Sequence, residues 1–289
     1  MQQKSSKIIQ NKSQITYSYA TIRITQSRLD KGLIAIPVSL TKWFPDHNDT
    51  IEVYLNDSPT SQIKHYSSYN SSTRECRIGG MKQWFQQSNI KTGDEIVIQL
   101  LDKKRLVYRL IPERNYVLKT KELQQTLDNS ETEQEASRKI TTLSDWTNSN
   151  KDMVALNEYY RLVNILPYEE RRHIQKRLSR RRESVPVNLR NIIENIYKGH
   201  CQACDFWFLR RDKKPYFEFH HINPFKGHHP KNLLVVCGNC HNQFEYAHVK
   251  PLFNNDGWLI KVSFNDRTYS INHAILKTKI KGFFKELFI

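Results

Sequence analysis

The sequence predicts an α+β chain: an amino-terminal β-barrel, a helical basic linker and a small carboxy-terminal module stapled by a metal. Three observations carry this expectation. Short alternating apolar runs recur up to residue 112, a polar and then strongly basic stretch follows, and two C-x-x-C pairs stand near the end. At 289 residues the chain is long enough for two folding units.

The barrel comes first. Runs rich in β-branched and aromatic residues occupy 20–24, 33–37, 51–55, 63–66, 74–78, 95–101 and 106–111. Turn-forming clusters such as Asp46-His47-Asn48-Asp49, Asn56-Asp57-Ser58-Pro59 and Thr92-Gly93-Asp94 separate them, the spacing of an antiparallel barrel or sandwich. Two short helices, 40–44 and 81–87, each carry a Trp-Phe pair, Trp43-Phe44 and Trp84-Phe85. Rings of that size are core material, placed to plug the barrel ends. Cys76 reads as a small buried hydrophobe. The first domain is expected over 1–118.

Residues 119–185 read as the linker. Gln, Ser, Thr, Asn and Glu dominate 120–150, and apolar residues then return at helical spacing, with Leu156, Tyr159, Tyr160, Leu162 and Val163. The segment 171–182 holds seven Lys or Arg and no acid. So dense a block of one sign repels itself unless an anion neutralises it, which marks Arg177, Arg180 and Arg181 as contacts to a DNA backbone. The whole chain has 45 Lys plus Arg against 29 Asp plus Glu, a net charge of +16, and a polyanion is the expected partner. No stretch has the length and apolarity of a membrane span and no signal-peptide core opens the chain, so a cytoplasmic location and no membrane partner are expected. No repeat of fixed period is present.

The domain over 186–289 is expected to carry the chemistry. Cys201-Gln202-Ala203-Cys204 and Cys237-Gly238-Asn239-Cys240 have the spacing of a closed four-thiolate structural zinc site, and a closed site leaves no position for water. That zinc is a staple. Reactive groups must lie between the knuckles, where Glu218-Phe219-His220-His221-Ile222-Asn223-Pro224 is followed by Lys231-Asn232-Leu233-Leu234-Val235-Val236, with His241 directly after Cys240. A hairpin is expected around Asn265-Asp266 and an amphipathic helix over 274–288.

The order of paired His, central Asn and a final His against a knuckle resembles the HNH endonucleases, over about residues 197–246. The resemblance implies a ββα-metal fold with one divalent cation, magnesium or manganese. It makes His220 a metal ligand, His221 the general base that takes a proton from the attacking water, Asn232 the residue that braces the loop carrying the base, and His241 the final ligand. An imidazole titrating near about 6.5 suits proton abstraction, and a cation suits the phosphate and the departing 3′ oxygen. In McrA-type relatives a further His often stands four residues after the last; here Glu245 does, and it can offer a carboxylate from the same helix face. Glu218 reads as a group that orients His220. His200, His228, His229 and His248 read as exposed loop histidines.

In the first domain Ile24-Thr25-Gln26-Ser27-Arg28-Leu29, Gly32-Leu33-Ile34-Ala35-Ile36-Pro37 and the segment 90–98 resemble the B-three DNA-binding pseudobarrel of plant transcription factors and of some restriction enzymes. That resemblance implies two arms on the major groove. Ser27, Arg28 and Lys31 fall on the first, and Ser67, Ser68, Asn70 and Arg74 on the second. A reader joined to a cutter is the layout of a restriction endonuclease acting on double-stranded DNA, with a homodimer expected for cutting both strands. A mobile-element or homing endonuclease is the alternative within nucleases, and a DNA-binding regulator with a purely structural zinc ribbon is the alternative outside them.

Overall fold

The computed structural model describes residues 15–68, 75–168 and 184–276. The expected contacts Asn70, Arg74, Arg177, Arg180 and Arg181, and most of the carboxy-terminal helix, lie outside the described residues. The chain divides into two compact units, Met1–Leu123 with Asp145–Asn148, and Gln124–Ser144 with Ser149–Ile289. Among the described residues no helix is long and apolar enough to cross a membrane.

The first unit is built on seven strands: β1 (Ala20–Arg23), β2 (Ile34–Ala35), β3 (Asp49–Leu55), β4 (Ser61–Ser67), β5 (Arg77–Ile78), β6 (Glu95–Asp102) and β7 (Val107–Pro112). Their order in one nearly closed, barrel-like sheet is β1-β6-β7-β3-β4-β5-β2. Alternation sets the faces: Ile51, Val53 and Leu55 of β3 point inward while their neighbours do not. One pairing departs from the antiparallel expectation, because β3 and β7 run parallel in the register Glu52↔Val107 to Leu55↔Leu110. Parallel neighbours need a long crossover, and β4 to β6 provide it.

The expected plugs are core. Phe44 stacks between Tyr66 and Tyr108 with ring centroids 5.0 and 4.4 Å away, and Trp84, Phe85 and Cys76 are buried beside it. The first plug is a 3-10 helix, Val38–Trp43, and the second is α2 (Lys82–Gln87). A further short helix, α1 (Gln26–Lys31), ends at Gly32 with φ +63°; a Cβ there would approach the backbone nitrogen of Lys82 to 2.8 Å. Only glycine fits both demands.

Residues 113–165 form α3 (Glu113–Asp128), α4 (Glu133–Thr147) and α5 (Lys151–Ile165), and the first compact unit runs to Leu123 and regains Asp145–Asn148 instead of ending at 118. Buried apolar residues are spaced along these helices: Leu127, Ala136, Ile140, Leu143, Val154, Ala155, Tyr159 and Leu162. Their polar composition conceals paired charges. Buried Glu158 accepts from Gln124 at 2.7 Å and from Arg161 at 2.6 Å, while Arg161 also grips Asp128 with two bonds of 2.9 and 2.6 Å. Such polar groups belong inside a helical bundle when every one has a partner.

The rest of the second unit comprises α6 (Val187–Tyr197), β8 (Glu218–His221), β9 (Leu233–Val236), α7 (Gly238–Tyr246), β10 (Val249–Phe253), β11 (Leu259–Phe264) and β12 (Arg267–Ser270). β8 and β9 pair antiparallel, and β10-β11-β12 form a three-stranded sheet with the expected tight turn at Asn265-Asp266. Cys201, Cys237 and Cys240 share a core with Leu234, Val236, Leu259, Val262 and Phe264. A module this small has few apolar residues to bury, so a metal staple has work to do.

Candidate metal centre

Two elements bring the four cysteines together. Cys201 and Cys204 lie in a tight turn after α6, where the Asp205 N–H bonds the Cys201 carbonyl at 2.9 Å and Asp205 takes φ +61°. Cys237 is the N-cap of α7 and Cys240 sits in its first turn. Gln202 ties the two halves: its backbone N–H donates to the Val235 carbonyl at 2.9 Å, and its side-chain oxygen accepts from the Val235 N–H at 2.8 Å. The four sulfurs all lie within 4.8 Å of one another, with Cys204 and Cys237 Sγ 3.7 Å apart. Tetrahedral zinc with bonds of about 2.3 Å separates its sulfurs by about 3.8 Å, so the donors fit structural zinc. Their proton chemistry agrees. A hydrogen bond from Cys240 holds the Cys201 thiol down at about 4, whereas burial lifts Cys204 to about 11 and the bond to Cys201 pushes Cys240 far up. Thiols this close compete for protons, and a dication would relieve that conflict.

A second cluster sits one turn further along α7. His220, His241 and Glu245 each offer a ligand atom, and these atoms lie within 4.8 Å of one another. His220 projects from β8 onto the helix, where its ring stacks on Phe244 at 4.1 Å and meets His241 edge-on at 5.5 Å. Glu245 follows His241 by four residues on the same face. Two imidazoles and one carboxylate are a donor set that could hold a metal ion.

Glu218 also reaches the neighbouring helix. Its carboxylate accepts from His241 Nδ1 and from the Tyr216 hydroxyl, so it is placed to orient His241. Strand alternation makes this possible, since Glu218 and His220 share the face of β8 that looks at α7. A carboxylate on Nδ1 fixes the tautomer and leaves Nε2 to ligate. The Tyr216 hydroxyl bond, reinforced by His241, keeps the Glu218 carboxyl below the usual range.

On the opposite face of β8 stands His221. Its Nε2 lies 3.0 Å from His228 Nδ1. His228 is therefore a partner of the proposed base, against the expectation of an exposed loop residue, and His229 is buried with Nε2 3.0 Å from the Val163 carbonyl oxygen. His200 sits 3.0 Å from an Asp205 carboxylate oxygen, and His248 is exposed.

Asn232 closes the loop between these histidines. Fully buried, it accepts from the Asn223 N–H at 2.8 Å and donates to the carbonyls of Asn223 and Gly227 at 3.0 Å each. All three bonds brace the segment just after His221. Asn232→Ala strands those backbone groups away from water and is expected to cost about 1–3 kcal/mol. Urea unfolding of the variant measures it, and an unchanged midpoint would contradict the bracing role.

No family model matches the chain, and no curated protein matches it. Two solved structures share 32% of this chain: the Arabidopsis FUS3–DNA complex, at 13% identity over 92% of that chain, and the Arabidopsis thaliana transcription factor LEC2–DNA complex, at 15% identity over 88%. The TM-score is 0.27 for each.

In the first unit, the segment expected as the leading arm is α1. Ser27 and Lys31 are exposed on it, and Arg28 is engaged by Glu75 in an ion pair. Of the second arm, Ser67 ends β4 and the Ser68 N–H donates to the Asn48 side-chain oxygen at 2.8 Å.

Proposed function

We propose that this protein is a restriction-type DNA endonuclease, reading duplex DNA with its seven-stranded unit and hydrolysing phosphodiesters in its ββα module. One observation carries the reading: His220, His241 and Glu245 converge on a single point while the adjacent His221 faces the other way with a second imidazole beside it. A structural zinc ribbon alone has no use for that arrangement.

His220, His241 and Glu245 would hold a divalent cation, magnesium or manganese, which would supply Lewis acidity for phosphodiester hydrolysis. The chain's own residues do the rest. His221 takes a proton from the attacking water on Nδ1, and His228 Nδ1, at hydrogen-bond distance from His221 Nε2, steadies the ring and can receive the proton that Nε2 carries. Asn232 keeps the loop after His221 from drifting, and Glu218 holds His241 in the ligating tautomer. The four cysteines hold zinc and with it the start of α7. The excess of positive charge, +16, favours the approach of DNA. One such centre cuts one strand, so cleavage of both calls for a homodimer.

The direct experiment incubates the protein with methylated and unmethylated plasmids in magnesium or manganese and maps the ends. Discrete fragments from one methylation state are the expected result. Smears on every substrate would point to an unspecific nuclease, and DNA left intact throughout would point to a regulator.

A further inference from the structure

Between the first knuckle and β8 the chain makes a protruding hairpin over 205–216, and neither metal cluster uses it. The Tyr216 N–H donates to the Phe208 carbonyl at 3.0 Å, Leu209 bridges Pro215, and the Arg210 N–H donates to the Lys214 carbonyl at 2.8 Å. Lys213 turns the corner with φ +61°. Four consecutive large apolar residues on the leading limb stay in solvent: Phe206, Trp207, Phe208 and Leu209 are 55, 46, 43 and 52% exposed. Single exposed apolar residues are ordinary, whereas a contiguous run on a small module marks a contact surface. Trp207 and Leu209 line an open groove of about 830 Å³, so they have space beside them.

The cations at the turn say what kind of contact. Arg210, Arg211, Lys213 and Lys214 surround a single acid, Asp212. Arg210 and Lys214 have acidic partners at 3.2 and 3.7 Å, while Arg211 and Lys213 make no ion pair among the described residues. Protein interfaces deplete lysine beside their aromatic centres; nucleic-acid sites combine aromatic faces with a dense cationic rim. The limb is also rigid, since Phe208 stacks on Tyr216 at 4.8 Å and Tyr216 is bonded to Glu218 at the catalytic cluster. The eight residue steps from Lys213 to His221 span at most about 26 Å of extended chain. At about 3.4 Å per base pair that is some eight base pairs, within one duplex segment.

We propose that the 205–216 hairpin is a second DNA-docking element, in which Arg211 and Lys213 take backbone phosphates and the Phe206–Trp207 edge wedges against a base step near the scissile bond. The proposal rests on the nuclease reading for its substrate. The test measures binding of the full-length, zinc-loaded protein to a labelled duplex carrying 2-aminopurine, without added divalent cation, across a salt series. Arg211→Gln with Lys213→Gln is expected to reduce the slope of log affinity against log salt by about 2, as two lost phosphate contacts require. Phe206→Ala with Trp207→Ala is expected to weaken binding about tenfold at unchanged slope and to abolish the 2-aminopurine fluorescence rise seen with the wild type. Equal zinc content certifies the fold, and single Arg211→Gln, at the exposed turn, repeats the charge test should a double variant lose zinc. Wild-type affinity, slope and fluorescence in the variants overturn the proposal while leaving the nuclease reading intact if the wild type still cuts. Variants that bind DNA normally but lose a wild-type dimer by light scattering overturn it in favour of a self-association surface. A wild type that binds no DNA overturns both.

Discussion

His221→Ala is expected to slow single-turnover DNA cleavage by about a hundred- to ten-thousand-fold, the usual effect of losing a general base. Zinc content, fold and DNA binding stay near wild type, because His221 faces away from His220 and belongs to neither metal cluster. His241→Ala also stops cleavage, by a different route. It removes one of the three clustered groups that would hold the proposed cation, so raising manganese is expected to restore part of the rate. More cation does nothing for His221→Ala, since a missing proton acceptor is not a matter of occupancy. A manganese titration of both variants separates them. Equal rescue of the two, or full activity in His221→Ala, defeats the assignment of roles.

Cys237→Ser is expected to bring zinc from about one per chain to near none and to unfold the module, since metal binding supplies much of the folding free energy of such small domains. Cleavage falls with it. Cys237 caps α7, its sulfur accepting from the Cys240 N–H at 3.4 Å, and the same short helix carries His241 and Glu245 in its following turns. Elemental analysis of the purified variant reads the zinc, and circular dichroism reads the fold. Retention of zinc in Cys237→Ser would be inconsistent with a four-sulfur site.

Much of this structure was legible from residues alone. The strands of the first unit declared themselves in two ways: β3 alternates strictly because one of its faces is buried, whereas β6 and β7 read as near-continuous apolar runs because both of their faces are buried. The partner of β3 was not legible: strand periodicity tells which face is inside but not which distant strand lies alongside, and β7 runs parallel to it. β10 passed unnoticed because Pro251 interrupts it, which an edge strand tolerates. The helices α3 to α5 looked like a linker because their buried Glu158 and Gln124 and the half-buried Arg161 are polar, and only a structure shows that they satisfy one another. At the candidate site, Cys spacing and the order of His220, His221, Asn232 and His241 sufficed to group the ligands. The bond from His241 to Glu218 and the approach of His228 to His221 cross from one element to another, a relation that no spacing along the chain encodes.

The pairings in the first unit also set how it comes into being. β1 waits for β6, Ala20 meeting Ile98 and Arg23 meeting Glu95, and β3 waits for β7. β1, and the second side of β3, thus find their neighbours only after most of the unit has left the ribosome, and the loop-closure entropy falls due before the sheet rewards it. Local hairpins such as β3 with β4 form first but leave open edges. Truncation anywhere before Pro112 removes a strand from the middle of the sheet, between β1 and β3, and splits it into pieces. Pairings so distant along the chain predict slow refolding of the unit, which stopped-flow fluorescence would measure.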